Sequence, residues 1–134
     1  MKLTGLFNVL STPLNSDLEI DPNVFELEIE WLIKCGMDGA VLAMVSEVLR
    51  FSADERREQW KLVLKFLNNR KPLVVSTGAE SSNIAAKLAK QAEADGASAL
   101  MATPPSAFSA TSDEIKKYYK TIIEAVKIPV IVQD

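Results

Sequence analysis

Five short apolar runs, each parted from the next by an amphipathic stretch, constrain this chain more than any other feature. The runs are 6–12 (LFNVLST), 40–45 (AVLAMV), 72–76 (PLVVS), 97–102 (ASALMA) and 129–133 (PVIVQ). Their starts lie 25 to 34 residues apart, close to one βα unit each. They are mostly apolar on both faces, which predicts parallel strands covered by helices. The stretches between them carry helix signals. Asp21-Pro22 reads as an N-cap with proline at the first helical position. Val24, Leu27, Trp31, Leu32 and Cys35 then line one face, and Gly36 stops the helix. Ser52 and Glu55 form a capping-box pattern ahead of Trp60, Val63, Leu64 and Leu67. Ser81 or Ser82 opens a third helix with Ile84, Leu88 and Ala92 inward, and Gly96 closes it. Thr111 and Glu114 make a second capping box before Ile115, Tyr119, Ile122 and Val126. The predicted order is β-α-β-α-β-α-β-α-β, in one domain over residues 1–134.

Such an order admits an open doubly wound sheet or an arc of a (βα)8 barrel. A complete barrel takes about 250 residues. A barrel arc here would be (βα)4 plus a fifth parallel strand, ending on Asp134 with no helix to cover it. The charge balance, Lys+Arg 15 against Asp+Glu 18, leaves no electrostatic footprint for nucleic acid or an anionic membrane. No apolar run approaches the roughly 18 residues that span a bilayer. The opening MKLTGLFNVLSTP lacks the continuous apolar stretch of a signal peptide. A cytoplasmic location is the expectation. Cys35 is the one cysteine, so there is no internal disulfide. Histidine is absent, which removes Ser-His-Asp triads and histidine metal sites. Neither a G-x-G-x-x-G nor a G-x-x-x-x-G-K-[ST] loop occurs, so neither metal nor cofactor is expected. Asn8 to Thr12 supply no acidic cluster for a receiver-type phosphoacceptor site.

The residue pattern favours the barrel arc. Gly5, Thr12-Pro13, Ile20-Asp21, Gly36-Met37-Asp38-Gly39, Glu47 with Ser52, Glu55 and Arg56, Thr77-Gly78-Ala79, Ala92-Glu93 with Gly96-Ala97, Thr103-Pro104-Pro105 and Pro129-Val130-Ile131 follow one another in order. Together they resemble the N-terminal half of the dihydrodipicolinate synthase/N-acetylneuraminate lyase family, the pyruvate-type class I aldolases. The resemblance implies Schiff-base chemistry on pyruvate or a related 2-oxo acid. It implies a lysine on a sixth strand, a proton-relay tyrosine ending the fifth, and a G-T-T-G-E loop that holds the carboxylate. A partly desolvated lysine is a usable nucleophile, and N–H groups of a loop leading into a helix bind carboxylates.

The chain departs from that pattern. Ala43-Met44-Val45-Ser46-Glu47 occupies the G-T-T-G-E position, which leaves Ser46 and backbone N–H groups as carboxylate donors. Pro105 and Ser106 stand where the synthase branch has a tyrosine pair, and Gln133 stands at the relay tyrosine. An amide is no general acid–base near neutral pH. The Schiff-base lysine would fall beyond Asp134. The expected substrate-binding residues are therefore Val45, Ser46, Glu47 and Gln133, with no catalytic lysine present. All eleven lysines read as solvated charges, nine in or beside helices, Lys2 at the terminus and Lys71 ahead of a strand. Glu47 reads as a carboxylate holding the following loop through backbone N–H groups, and Asp134 as a chain end more than a catalytic acid. Thr103-Pro104-Pro105 reads as a rigid loop exit. Trp31, Trp60 and Cys35 read as packing residues.

Two functional classes follow. One is the N-terminal half of a family lyase, aldolase or dehydratase, inactive alone and competent on a small 2-oxo acid once completed. The other is a half-barrel that self-associates without the chemistry. An inner face drawn from Val9, Leu42, Met44, Val74, Leu100, Met101 and Val132, together with open strand edges, leads to the expectation of a homo-oligomer.

Overall fold

The computed structural model describes residues 3–107 and 109–133. Lys2 and Asp134, both weighed from the sequence, lie outside the described residues. The elements are β1 (Phe7–Val9), α1 (Pro22–Lys34), β2 (Gly39–Leu42), a 3-10 turn (Met44–Ser46), α2 (Ala53–Leu67), β3 (Leu73–Ser76), α3 (Ser82–Asp95), β4 (Ala99–Ala102), α4 (Ser112–Ile123) and β5 (Val130–Val132). The strand order is β1-β2-β3-β4-β5. It is the sequential order of a barrel arc, with parallel ladders where the registers run Phe7↔Gly39 to Val9↔Val41 and Leu100↔Val130 to Ala102↔Val132. Two compact units divide the chain, Met1–Val74 and Val75–Asp134, and β3 carries residues of both.

In the first unit the ladder of β1 stops at Val9, although the apolar run extends to residue 12. Leu10 still donates its N–H to the Val41 carbonyl. After it the Ser11 N–H turns to the Glu28 carboxylate at 3.1 Å, and Pro13 has no N–H to give. Burial pushes the Glu28 pKa up against that bond. The entry to the two strands is pinned. Gly5 has φ +98°, and a Cβ there would sit 2.0 Å from the Asp38 Oδ2 that accepts the Leu6 N–H. A Cβ on Gly39 would lie 2.1 Å from the Phe7 ring. Asp21 caps α1 by accepting from the N–H groups of Asn23 and Val24, ahead of Pro22.

The buried face of α1 corrects the sequence reading. Phe25, Ile29 and Leu32 are inward, whereas Val24, Leu27, Trp31 and Cys35 are exposed. The helix carries two apolar arcs, and the spacing 25-29-32 fits an inward stripe as well as the one chosen. Trp31 and Cys35 are thus not packing residues in this unit. In α2 the Ser52–Glu55 box forms as expected, and Trp60, Val63 and Leu67 are buried. Leu64 is only half-buried, and Phe66 completes the face.

In the second unit, Ser81 precedes α3 without a side-chain cap, and Gly96 ends it in the left-handed region. Ala85, Leu88, Ala89 and Ala92 are buried, whereas Ile84 is exposed. The Thr111–Glu114 box opens α4, whose buried residues are Tyr118 and Ile122. Val126 falls beyond the helix. The Glu93 carboxylate accepts the N–H groups of Lys127 and Ile128 and so fixes the approach to β5. Of the expected inner-face residues, Leu42, Val74 and Leu100 are buried, whereas Val9, Met44 and Val132 are exposed.

Candidate functional site

The segment after β2 folds into a 3-10 turn because the Ser46 N–H reaches back to the Ala43 carbonyl at 2.9 Å. Ser46 is wholly buried. Its hydroxyl accepts the Ala43 N–H at 3.2 Å and donates to the Leu10 carbonyl. Its carbonyl takes two donors, the Thr12 hydroxyl at 2.9 Å and the Gln59 amide at 2.6 Å. The same Gln59 nitrogen also lies against the Thr12 oxygen. A neutral network thereby ties the end of β1, the loop and α2 together, with the carbonyl's two acceptor positions filled. Glu47 follows in the left-handed region at φ 63°. Its carboxylate meets the Arg50 guanidinium at 2.8 Å, and its carbonyl accepts the Arg50 N–H. The acid holds the turn through a guanidinium where backbone N–H groups were expected. Met44 and Val45 are exposed, Val45 to 71%.

Gln133 lies in the second unit. Its N–H donates to the Ala102 carbonyl at 3.0 Å, and its own carbonyl accepts the Tyr119 hydroxyl at 3.1 Å. Tyr118, edge-on to Tyr119 with ring centroids 5.3 Å apart, accepts the Ala79 N–H at 3.0 Å. Next along the chain, Glu80 accepts the N–H groups of Ser106 and Ala107 at 3.1 Å, and the Ser106 hydroxyl. These bonds, the Ser106 N–H first and the Ala107 N–H second, hold its carboxyl below the usual carboxylate value. Thr103-Pro104-Pro105 exits β4 where a Cβ on Gly78 would meet the Thr103 hydroxyl at 2.6 Å and its N at 2.9 Å.

Val45, Ser46 and Glu47 therefore share one turn, and Gln133 is placed separately by β4 and α4. Lys34, Lys61, Lys65, Lys87, Lys90, Lys116, Lys117, Lys120 and Lys127 are exposed, and Lys71 is half-buried. Among the described residues, none of these stands at the C-terminal end of a strand. Gln59, Glu80 and Tyr118 were not singled out from the sequence, and Thr12 only as part of the Thr12-Pro13 pair, without a role in this network. For Gln59 a signal was available: an amide on the same apolar stripe as Val63 and Phe66, where a buried polar group needs a partner.

Residues 2–134 match the model of the Dihydrodipicolinate synthetase family. The 4-hydroxy-tetrahydrodipicolinate synthase of Bartonella bacilliformis is 30% identical over 131 residues, 97% of this chain and 45% of that protein. The L-2-keto-3-deoxyarabonate dehydratase of Azospirillum brasilense is 30% identical over 134 residues, 97% of this chain and 43% of that protein. The crystal structure of the chloride-inhibited dihydrodipicolinate synthase from Acinetobacter baumannii, complexed with pyruvate, superposes with a TM-score of 0.94 at 30% identity. It covers 98% of this chain and 45% of that one. The chain thus spans less than half the length of these relatives. Among the described residues, no helix is long and apolar enough to cross a membrane.

Proposed function

Because this chain belongs to the dihydrodipicolinate synthetase family, we propose that it supplies the carboxylate-holding part of a Schiff-base-forming lyase, an aldolase or dehydratase, acting on pyruvate or a related 2-oxo acid. The observation that carries the reading is the turn after β2, at the strand end where barrel sites lie. Ser46 shapes that turn from below, since its hydroxyl proton is spent on the Leu10 carbonyl. The acid's carboxylate is then met by the backbone N–H groups of Val45 and Glu47, with the exposed Val45 side chain beside it. Gln133, held by Tyr119 in the second unit, carries an amide that is no general acid–base near neutral pH, so proton relay falls to other groups. The nucleophilic lysine comes from polypeptide outside these 134 residues.

The test is titration of the labelled chain with pyruvate, followed by borohydride. Amide resonances of residues 45 and 47 should shift, and mass spectrometry should find no covalent adduct. A stoichiometric adduct on any lysine would overturn the assignment of the nucleophile. Unmoved resonances at 45 and 47 would overturn the assignment of the loop.

A further inference from the structure

The turn after β2 is built with two hydroxyls, yet it offers neither of their protons to a ligand. The Ser46 hydroxyl donates to the Leu10 carbonyl and accepts the Ala43 N–H. The Thr12 hydroxyl donates to the Ser46 carbonyl at 2.9 Å and accepts from the Gln59 amide. A hydroxyl has one proton to give, and both are given within the protein. The charged group of the turn is engaged as well, since the Glu47 carboxylate meets Arg50 at 2.8 Å. What the turn shows to solvent beside its N–H groups is hydrocarbon and thioether. Val45, whose N–H is assigned to the carboxylate, is 71% exposed, and Met44 before it is 46% exposed. Neither side chain has an oxygen or nitrogen with which to bond a ligand hydroxyl. A hydroxyl brought against them gives up water without a replacement partner, whereas an alkyl group there leaves water at a gain.

We propose that Val45, with Met44 beside it, is a specificity-determining residue that selects 2-oxo acids with an alkyl group on C3 against those with a hydroxyl there. The inference rests on the carboxylate-holding role of the turn and adds the choice of acid to it. The carboxylate is common to every acid of the class. The N–H groups of Val45 and Glu47 therefore hold the acid without telling one from another. Discrimination falls on the group beside the oxo carbon, which meets a surface without donors. This part of the turn is made of side chains, so a single substitution changes its preference.

The test titrates the labelled full chain with pyruvate, 2-oxobutyrate and 3-hydroxypyruvate, acids of equal charge, at fixed ionic strength. The last two differ by a methyl against a hydroxyl of nearly the same size. Dissociation constants are read from the amide resonances of residues 45 and 47. 2-Oxobutyrate should bind about threefold more tightly than pyruvate, and about tenfold more tightly than 3-hydroxypyruvate. Val45→Thr keeps the shape of the side chain and adds a hydroxyl, and it should bring the second ratio below about threefold. Leu49→Thr, at an exposed position past the turn, should leave that ratio at about tenfold. Equal binding of 2-oxobutyrate and 3-hydroxypyruvate, or an unchanged ratio in Val45→Thr, overturns the proposal and leaves the reading of the turn standing. Unmoved resonances with all of the acids overturn that reading, and this inference with it.

Discussion

The loop after β2 and the loop after β4 are both held by side chains from elsewhere in their own units, but by opposite physics. Ser46 is fixed by a buried, uncharged set of hydroxyl, amide and carbonyl groups. Ser106 and Ala107 are fixed by one carboxylate, Glu80, that remains in water. The buried set is insensitive to pH and salt, yet each missing partner leaves a polar group stranded away from water. The exposed carboxylate contributes little and answers to acid. In the first arrangement the loop keeps its shape through neutral groups, and its one carboxylate, Glu47, is paired with Arg50.

The sharpest way to break the contrast is Ser46→Ala. It strands the Leu10 carbonyl and the Ala43 N–H, and we expect a loss of about 3 kcal/mol in urea unfolding. A loss below about 0.5 kcal/mol, within the range of surface substitutions, would show that the network does not hold the loop. Gln59→Leu should cost less, about 2 kcal/mol, because the Ser46 carbonyl keeps the Thr12 hydroxyl as a donor. Amide exchange should rise at residues 44–47 and stay unchanged at 106 and 107. The smallest effect belongs to Glu80. Its folded pKa is depressed below the ordinary 4.5, so its support is complete above that value. The support is lost as pH falls through the lowered value. The protection of the Ser106 and Ala107 amides, relative to their intrinsic exchange, should therefore fall in acid, and Glu80→Gln should abolish that acid step. Persistence of the step in the variant would assign it to another acid, such as the Glu114 of the α4 capping box.

The sequence told the two loops apart poorly, for a definite reason. Elements were legible because strand runs, capping boxes and Gly96 are local signals, read within four residues. All five strands and four helices fall where those signals lie. The inward face of α1 was misread because Val24-Leu27-Trp31 and Phe25-Ile29-Leu32 both satisfy helical periodicity. Only the packing of α1 in the folded unit decides between them. The contacts that hold these segments, each within its own unit, join residues far apart in sequence: Ser46 with Leu10 and Thr12, Glu80 with Ser106, Gln133 with Tyr119. A serine at 46 could be seen, but that its proton is already committed could not.

Gly5 and Gly39 act as a ruler for the first unit. Residue 39 can face Phe7 only while it lacks a Cβ, and residue 5 can approach Asp38 only on the same terms. A slip of one residue between β1 and β2 would shift the strands by about 3.3 Å and turn their side chains to the opposite face. It would bring the Cβ of Asp38 or Ala40 against the Phe7 ring. The zero mark is thus set at the start of the two strands, and the distance to the far end is counted in residues. The hydroxyl of Ser46 meets the carbonyl of Leu10 only at the correct count. Insertions at the start of either strand should therefore be read out as misplacement of a turn at the other end, several residues from the change itself.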